Sequence, residues 1–580
     1  MYGAGMRVPT WCLALFLAGG VGWAQSGTAA GGAAQQVEGL SARFWQWRAT
    51  EQPFTDDDIP RLERPAGMVA QWSAADVADY ERRIAEFETE WRGLEVAGAP
   101  VGTQVDWRLV GSAIARVRWE LEVLPQWRRN PEFYVDQSLG AVYVLMLPPA
   151  PFSETRRTDV VKRLQAVSRL LEQGRANLVD MRQPYAVVAM SDLDRIEDQM
   201  RAFRAGVDAT GVMGPEVGAF DTAEEQAAKA LVAYREWLRP QVAGLKKETA
   251  VGRSGYEFFL RNVALMQETP EEMLAVGERE FARAVTFESL QQAADTGLAE
   301  RPIYPSAEAQ IADEVKQEKL IRRHMVEHGV LSEPAGVKHY AYRAMPPYIA
   351  PLSFLGVTDD LTSEARLDED GTSYKSTPVA GMPFFDAITA RDVRPLMIHE
   401  GVPGHYYQLT WSWHNPDPVR RHYYDSESNE GIGFYSEEMM LEAGLFDQTP
   451  KTKEAIDSMM RLRALRVVVD VKLALGEFTL EQAAAYLEKT VPMDRATALD
   501  EAAMFATTPG QAITYQMGKS DLMSLLTEAR EKEGAKFRLQ SFQDYVWLNG
   551  NLPISLMRWE LLGDASGVPP VAPRFAGETR

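Results

Sequence analysis

A chain of 580 residues that is 46% hydrophobic and 10% aromatic holds enough apolar material for a large packed core and is too apolar for general disorder. Its formal net charge of -21 at pH 7 makes nucleic acid and anionic membrane poor partners. The acidity reads as a solubilising surface.

At the N-terminus, Arg7, the apolar run from Trp11 to Val21 and the small-residue site Gly22-Trp23-Ala24 have the three-part build of a secretory signal, with cleavage expected after Ala24. The run is shorter than the roughly 20 residues that span a bilayer, and no later segment reaches that length without charges. No stable membrane span is therefore expected, and the mature protein is expected to be soluble and exported, periplasmic or extracellular. Cys12 is the only cysteine; it lies inside the signal and lacks the small-residue context of a lipoprotein attachment site. A mature chain without a thiol has no disulfide and no cysteine catalysis, so a transition metal must be held by histidine and carboxylate.

Residues 25–37, rich in Gly, Ala, Ser and Gln, read as a flexible leader. The rest, residues 38–570, reads as a single helical domain because no linker interrupts it. From Ser73 to about Leu94 apolar residues recur at helical spacing behind a serine cap. Ser153 to Met181 places Val160, Val161, Leu164, Val167, Leu170, Leu171 and Leu178 on one helical stripe. Thr269-Pro270-Glu271-Glu272 has a cap, a first-turn proline and a capping-box glutamate, and Thr479 with Gln482 repeats the box. Alternating strand patterns are few, the best being Lys338 to Met345 and Ala380 to Phe385. The fold class is mainly α with a small β component.

Two segments carry histidines in metal-binding patterns. His324-Met325-Val326-Glu327-His328 matches H-x-x-E-H, yet it follows Arg322-Arg323 and ends at Gly329, as an exposed helix C-terminus does. The second segment, His399-Glu400-Gly401-Val402-Pro403-Gly404-His405, is the more informative. Zinc-peptidase helices place their histidines four apart on one face; here the spacing is six, which turns the second side chain about 240° from the first on a regular helix. Pro403-Gly404 offers a break that swings His405 back. Glu430, 25 residues beyond, opens a further helical pattern and is a candidate third ligand. Glu437, seven residues later on the same face, can support a ligand. The expected metal site thus falls within residues 395–440.

These segments, HEGVPGHYYQ and EGIGFYSEEMMLEAGLF, resemble the bacterial family catalogued as domain of unknown function 885, with its HEGxPGH-type and EGWxLYxE-type motifs. Pro346-Pro347-Tyr348, Thr508 to Gly518 and Leu552 to Leu556 match further, and the similarity runs from about residue 40 to 565. Family members are similar to helical zinc peptidases with a deep central cleft, of one or two lobes, such as the carboxypeptidase Taq and angiotensin-converting enzyme groups. The resemblance implies zinc on His399, His405 and Glu430, Glu400 as the base, and Tyr515 as donor to the oxyanion. Two departures stand out: Ile432 replaces the usual tryptophan, and Ala474 stands where many relatives have a histidine that could bind substrate.

The expected function is a zinc-dependent hydrolase of amide bonds, acting on a peptide or small amide substrate. The alternatives are a noncatalytic exported binding protein on the same fold and a zinc hydrolase of nonpeptide amides or esters. A G-x-S-x-G elbow, a Walker loop and a dinucleotide-binding turn are missing from suitable contexts. Arg343, Lys519 and Arg558 lie near family-like segments, where each could hold a substrate carboxylate or a structural ion pair.

Overall fold

The caps predicted from sequence start their helices. Ser73 accepts the backbone N–H of Asp76, whose carboxylate accepts that of Ser73, ahead of Ala74–Arg92. Thr269 with Glu272 closes the same box on Pro270–Ala294, and Thr479 with Gln482 closes it on Leu480–Thr490. Ser153 caps Glu154–Asn177. Each hydroxyl satisfies an N–H that the first turn leaves without an intrahelical partner. The computed structural model describes residues 24–51, 62–491 and 493–572. Apart from Ala24, the expected signal segment lies outside the described residues.

Two expectations are corrected. The segment 25–37 is not a leader in coil, since the first helix is Ala24–Thr50. Alanine is the best helix former, and Ala33 and Val37 extend backward the buried stripe of Leu40 and Phe44. Ala380 to Phe385 is not a strand: Gly381 turns with φ +80°, and Pro383, which has no N–H to give a ladder, precedes the helix Phe384–Thr389.

The other strand pattern forms as read. Strand β1, Tyr340–Ala344, β2, Asp359–Asp360, and β3, Gly371–Lys375, make one sheet in the order β1-β3-β2. β1 runs parallel to β3 with Tyr340 opposite Gly371, and β2 runs antiparallel to it. The sheet lies on the histidine segment, where the Tyr340 and Tyr406 rings stack at 5.6 Å. Apart from an isolated bridge between Arg182 and Lys246, the other described residues are helical or irregular, so the chain is mainly α with a small β component. Among the described residues no helix is long and apolar enough to cross a membrane.

One apolar cluster runs from Val37 and Leu40 on the first helix to Trp547 and Met557 near the end of the described chain. Two smaller clusters flank it, and the helix Pro450–Leu475 touches all three: Ile456 and Met460 enter the large one, Leu462, Leu465 and Val469 the second, and Val467, Val471 and Ala474 the third. It is the buried axis of this part of the protein. A second close crossing joins Ser426–Glu442 to Thr514–Glu533. There the backbones of Gly431 and Gly518 touch, and a β-carbon on Gly518 would lie 2.2 Å from the Glu427 carbonyl oxygen.

Glu438 ties three helices together, 2.7 Å from Lys519 and 2.5 Å from Arg283. Burial opposes its charge, but Lys519 and Arg283 hold its carboxyl below the usual glutamate range. A carboxyl depressed in the folded state contributes stability that is present above its unfolded pKa and lost as the pH falls through the folded one. Glu438→Gln is therefore expected to lower urea stability near pH 7 and to flatten its decline below about pH 4.5, the unfolded glutamate range. Urea titrations of both proteins from pH 7 to pH 3 check this, and parallel pH profiles would refute it.

Candidate metal centre

The chain solves the six-residue spacing by changing its helical pitch. Met397–Gly401 winds as a π turn closed by the Val402 N–H on the Met397 carbonyl at 2.8 Å. The Val402–Pro403 peptide is cis. The Gly404 N–H then reaches back to the Ile398 carbonyl at 2.9 Å, and a new helix, His405–Ser412, begins. A β-carbon on Gly404 would sit 1.8 Å from the His399 carbonyl oxygen, so only glycine passes there. From behind, Trp547 donates its indole N–H to the Pro403 carbonyl at 2.6 Å. The imidazoles of His399 and His405 meet edge to face, with centroids 4.7 Å apart.

Glu430 comes from the helix Ser426–Glu442, which Asp425 caps through the Ser428 N–H. Its Oε2 lies 3.3 Å from Nε2 of His399 and 3.3 Å from Nε2 of His405. The ligating atoms of the three residues lie within 4.8 Å of one another, the one such group among the described residues. All three are buried, and Glu430 Oε2 and His405 Nδ1 make no hydrogen bond. Orphaned buried polar atoms are rare; two nitrogens and an oxygen facing one point fit a divalent ion. Gly433 makes the cradle, since a β-carbon there would lie 2.9 Å from His399 Cε1 and 3.0 Å from His405 Cε1.

Behind the ligands is a charged relay. His399 Nδ1 is 2.7 Å from Glu437 Oε1, and that oxygen is 2.7 Å from Arg463 Nη2. Burial and the Arg463 cation act against a proton on His399, but the carboxylates of Glu430 and Glu437 outweigh them and hold its pKa up at about 9. Burial likewise acts against charge on Glu430, yet the two histidines hold its carboxyl well below the usual range. The charges around the cluster thus favour a positive charge at its centre.

Glu400, between buried His399 and Gly401, is half-buried and forms no hydrogen bond or ion pair with any described residue. Tyr515 reaches the cluster itself. Its hydroxyl donates to Glu430 Oε1 at 2.7 Å, so it positions that carboxylate. Burial and the charge of Glu430 push the phenol well above its ordinary pKa, which keeps the donor proton in place. The Tyr515 ring lies under Arg466 at 4.5 Å, and Arg466 pairs with Glu501 at 2.5 Å. The loop leading to Tyr515 is anchored by buried Asp470, which accepts the N–H groups of Gly510 at 2.9 Å, Ala512 at 2.8 Å and Ile513 at 3.2 Å. Burial still pushes that carboxyl up to about 7.

Gly433, Arg463, Arg466 and Trp547 escape a reading by motif. Arg463, Arg466 and Asp470 did leave a trace: they form a polar i, i+3, i+7 stripe on the otherwise apolar stretch 462–471. Ala474 is packed with Trp119 and Phe259, and eleven residues of helix put it about 16 Å along the axis from Arg463; a histidine there would not reach the cluster. Lys519 is spent on Glu438, Arg558 on Glu528 at 2.7 Å and Asp564 at 3.0 Å, and Arg343 on the Thr372 hydroxyl at 3.1 Å. His324 and His328 stack at the C-terminal end of Ala307–Glu327, where their ring nitrogens face the carbonyls of Ala443 and His324.

Fold and cluster together define a mainly helical protein whose buried two-histidine, one-glutamate group can hold a metal ion. Residues 61–561 match the family described as bacterial protein of unknown function, DUF885, and the chain belongs to that family. Two solved structures share the fold. A protein from Shewanella oneidensis, described as a lipoprotein of unknown function, superposes with a TM-score of 0.66 at 16% identity, covering 94% of this chain and 100% of its own. One from Colwellia psychrerythraea, also described as a lipoprotein, gives a TM-score of 0.69 at 16% identity, covering 93% and 98%. No curated protein matches the sequence.

Gly433→Ala is expected to push the two imidazoles apart and weaken zinc binding by about tenfold or more, a loss of about 1.4 kcal/mol, while far-UV circular dichroism stays unchanged. Competitive titration against a zinc-chelating dye measures it; unaltered affinity would show that the cradle does not set the geometry.

Proposed function

We propose that this protein is an exported metal-dependent hydrolase, with zinc as the default ion, that cleaves amide bonds and acts first on peptides. One observation carries the reading: Nε2 of His399, Nε2 of His405 and Oε2 of Glu430 converge in a buried site where Glu430 Oε2 has no hydrogen bond. The likeness of HEGVPGH to the HEGxPGH-type motif of a family whose members are similar in architecture to helical zinc peptidases points the same way.

His399, His405 and Glu430 would hold the ion. When bound, it supplies a Lewis acid that polarises a substrate carbonyl and eases the deprotonation of water. Glu437, held 2.7 Å from Arg463 Nη2, lies 2.7 Å from His399 Nδ1 and so favours Nε2 as the nitrogen turned toward the centre. Tyr515 holds Glu430 by Oε1 and leaves Oε2 for the ion. The half-buried carboxylate of Glu400, free of partners, takes the proton of the attacking water and returns it to the leaving amine.

Metal analysis of the purified protein, joined to a screen of dipeptides, blocked peptides and nonpeptide amides, tests this. Glu400→Gln is expected to retain stoichiometric zinc and lose turnover by about 10²–10⁴-fold, whereas His405→Ala is expected to lose the metal. Turnover surviving in Glu400→Gln would remove that residue from the mechanism, and a protein without stoichiometric metal would remove the proposal. Zinc bound without hydrolysis of any amide would favour a noncatalytic binding protein on this fold.

A further inference from the structure

Adjacent residues Phe384 and Phe385 look into different places. Phe385 lies beside Arg463 and Arg466, against the relay behind the metal cluster. Phe384 lines a cavity of about 530 Å³ that none of the candidate metal ligands reaches. That volume lies within the roughly 300–1,000 Å³ of small-molecule sites. One wall is apolar, with Met382, Phe384 and Ile388, and Arg301 and Arg391 stand in the lining.

The lining carries three cations, Arg301, Arg391 and Lys451, among the acids Glu300, Asp392, Glu454 and Asp494. Lys451 is satisfied by Glu454 at 2.8 Å and lies 3.7 Å from Glu300. Asp392 is bonded to Arg394 at 2.6 Å and to the Thr452 hydroxyl at 2.8 Å. Asp494 caps the helix Arg495–Thr507 through the Thr497 N–H. The arginines are different. Arg391 donates Nη1 to the Arg301 carbonyl, and Arg301 donates Nε to the Arg391 carbonyl at 3.2 Å. This reciprocal clasp spends one donor of each arginine on the other's backbone carbonyl and leaves their remaining guanidinium N–H groups without a hydrogen bond to a described residue. Neither guanidinium is hydrogen-bonded to a carboxylate; the nearest, Asp392, is 3.7 Å from Arg301 and already committed.

We propose that this cavity is a binding site for a small organic carboxylate with an apolar or aromatic body. The carboxylate would take the remaining N–H donors of Arg301 and Arg391, whose planar geometry suits it, and the body would lie on Phe384 and Ile388. A compact dianion is disfavoured because Glu300, Glu454 and Asp392 also line the cavity and repel a second negative charge. The site stands independently of the proposed hydrolase activity, since no metal ligand takes part.

Isothermal titration of the full-length protein with 4-phenylbutyrate, which contains no hydrolysable bond, tests the assignment. One-to-one binding is expected, with affinity lower by about tenfold or more for 4-phenylbutanol, for Arg391→Gln and for the cavity-filling Ile388→Trp. Arg391→Lys should fall between wild type and Arg391→Gln. His405→Ala, which dismantles only the metal cluster, should bind as wild type does, and thermal unfolding of each variant verifies its fold. The assignment is overturned by no binding at millimolar ligand, by equal affinity for acid and alcohol, by undiminished binding in both Arg391→Gln and Ile388→Trp, by loss of binding in His405→Ala, or by competition from inorganic phosphate at equal concentration.

Discussion

At position 404 the backbone passes so close to the carbonyl of His399 that the first carbon of any side chain would overlap it. That contact is what lets the Gly404 N–H bond to Ile398 and a second helix start at His405. The direction of the His405 ring depends on it, and with that ring goes the position at which Glu430 can complete the group. The surrounding structure serves this path: Trp547 holds the Pro403 carbonyl, Tyr340 packs against Gly401, and Gly433 leaves room for both imidazoles.

The second dependence is electrostatic. Several ionisable groups from other helices are buried around the histidine segment, and burial of an unpaired charge is strongly unfavourable. They are arranged in alternating sign: Glu430 with the histidines, Glu437 with Arg463, Glu501 with Arg466 and Glu438 with Lys519. Each charge is supported by the next, so the side chains nearest the cluster have little freedom to reorient. Rigidity of this kind preorganises a ligand set before any ion arrives.

Local chemistry was legible in the sequence where it acts over a few residues. Ser73, Ser153, Thr269 and Thr479 named their helices because a cap and its partner are three apart, and His399, His405, Glu430 and Glu437 came together as their motif suggested. The leader and the strand at Ala380 failed for local reasons too: an alanine-rich stretch can coil or join a helix, and the choice was made by the buried stripe beyond it. Tyr515 was found, but its bond to Glu430 was not foreseen, because that partner lies 85 residues away in sequence. Arg463, Arg466 and Gly433 were invisible to motifs, since their roles exist only once separate helices are packed together.

The helix Pro450–Leu475 lines the 530 Å³ cavity at Thr452 and Ser458, braces Glu437 at Arg463, covers Tyr515 at Arg466 and anchors its loop at Asp470. Four duties are thus set out along a single rod, and their spacing is fixed by the pitch of an α-helix. A residue inserted between Arg463 and Asp470 would turn one end about 100° against the other, so either the relay or the tyrosine loop would lose its support. This stretch behaves as a ruler whose length evolution cannot edit one residue at a time, whereas substitutions that keep both its register and the volume of its buried apolar sides are tolerated.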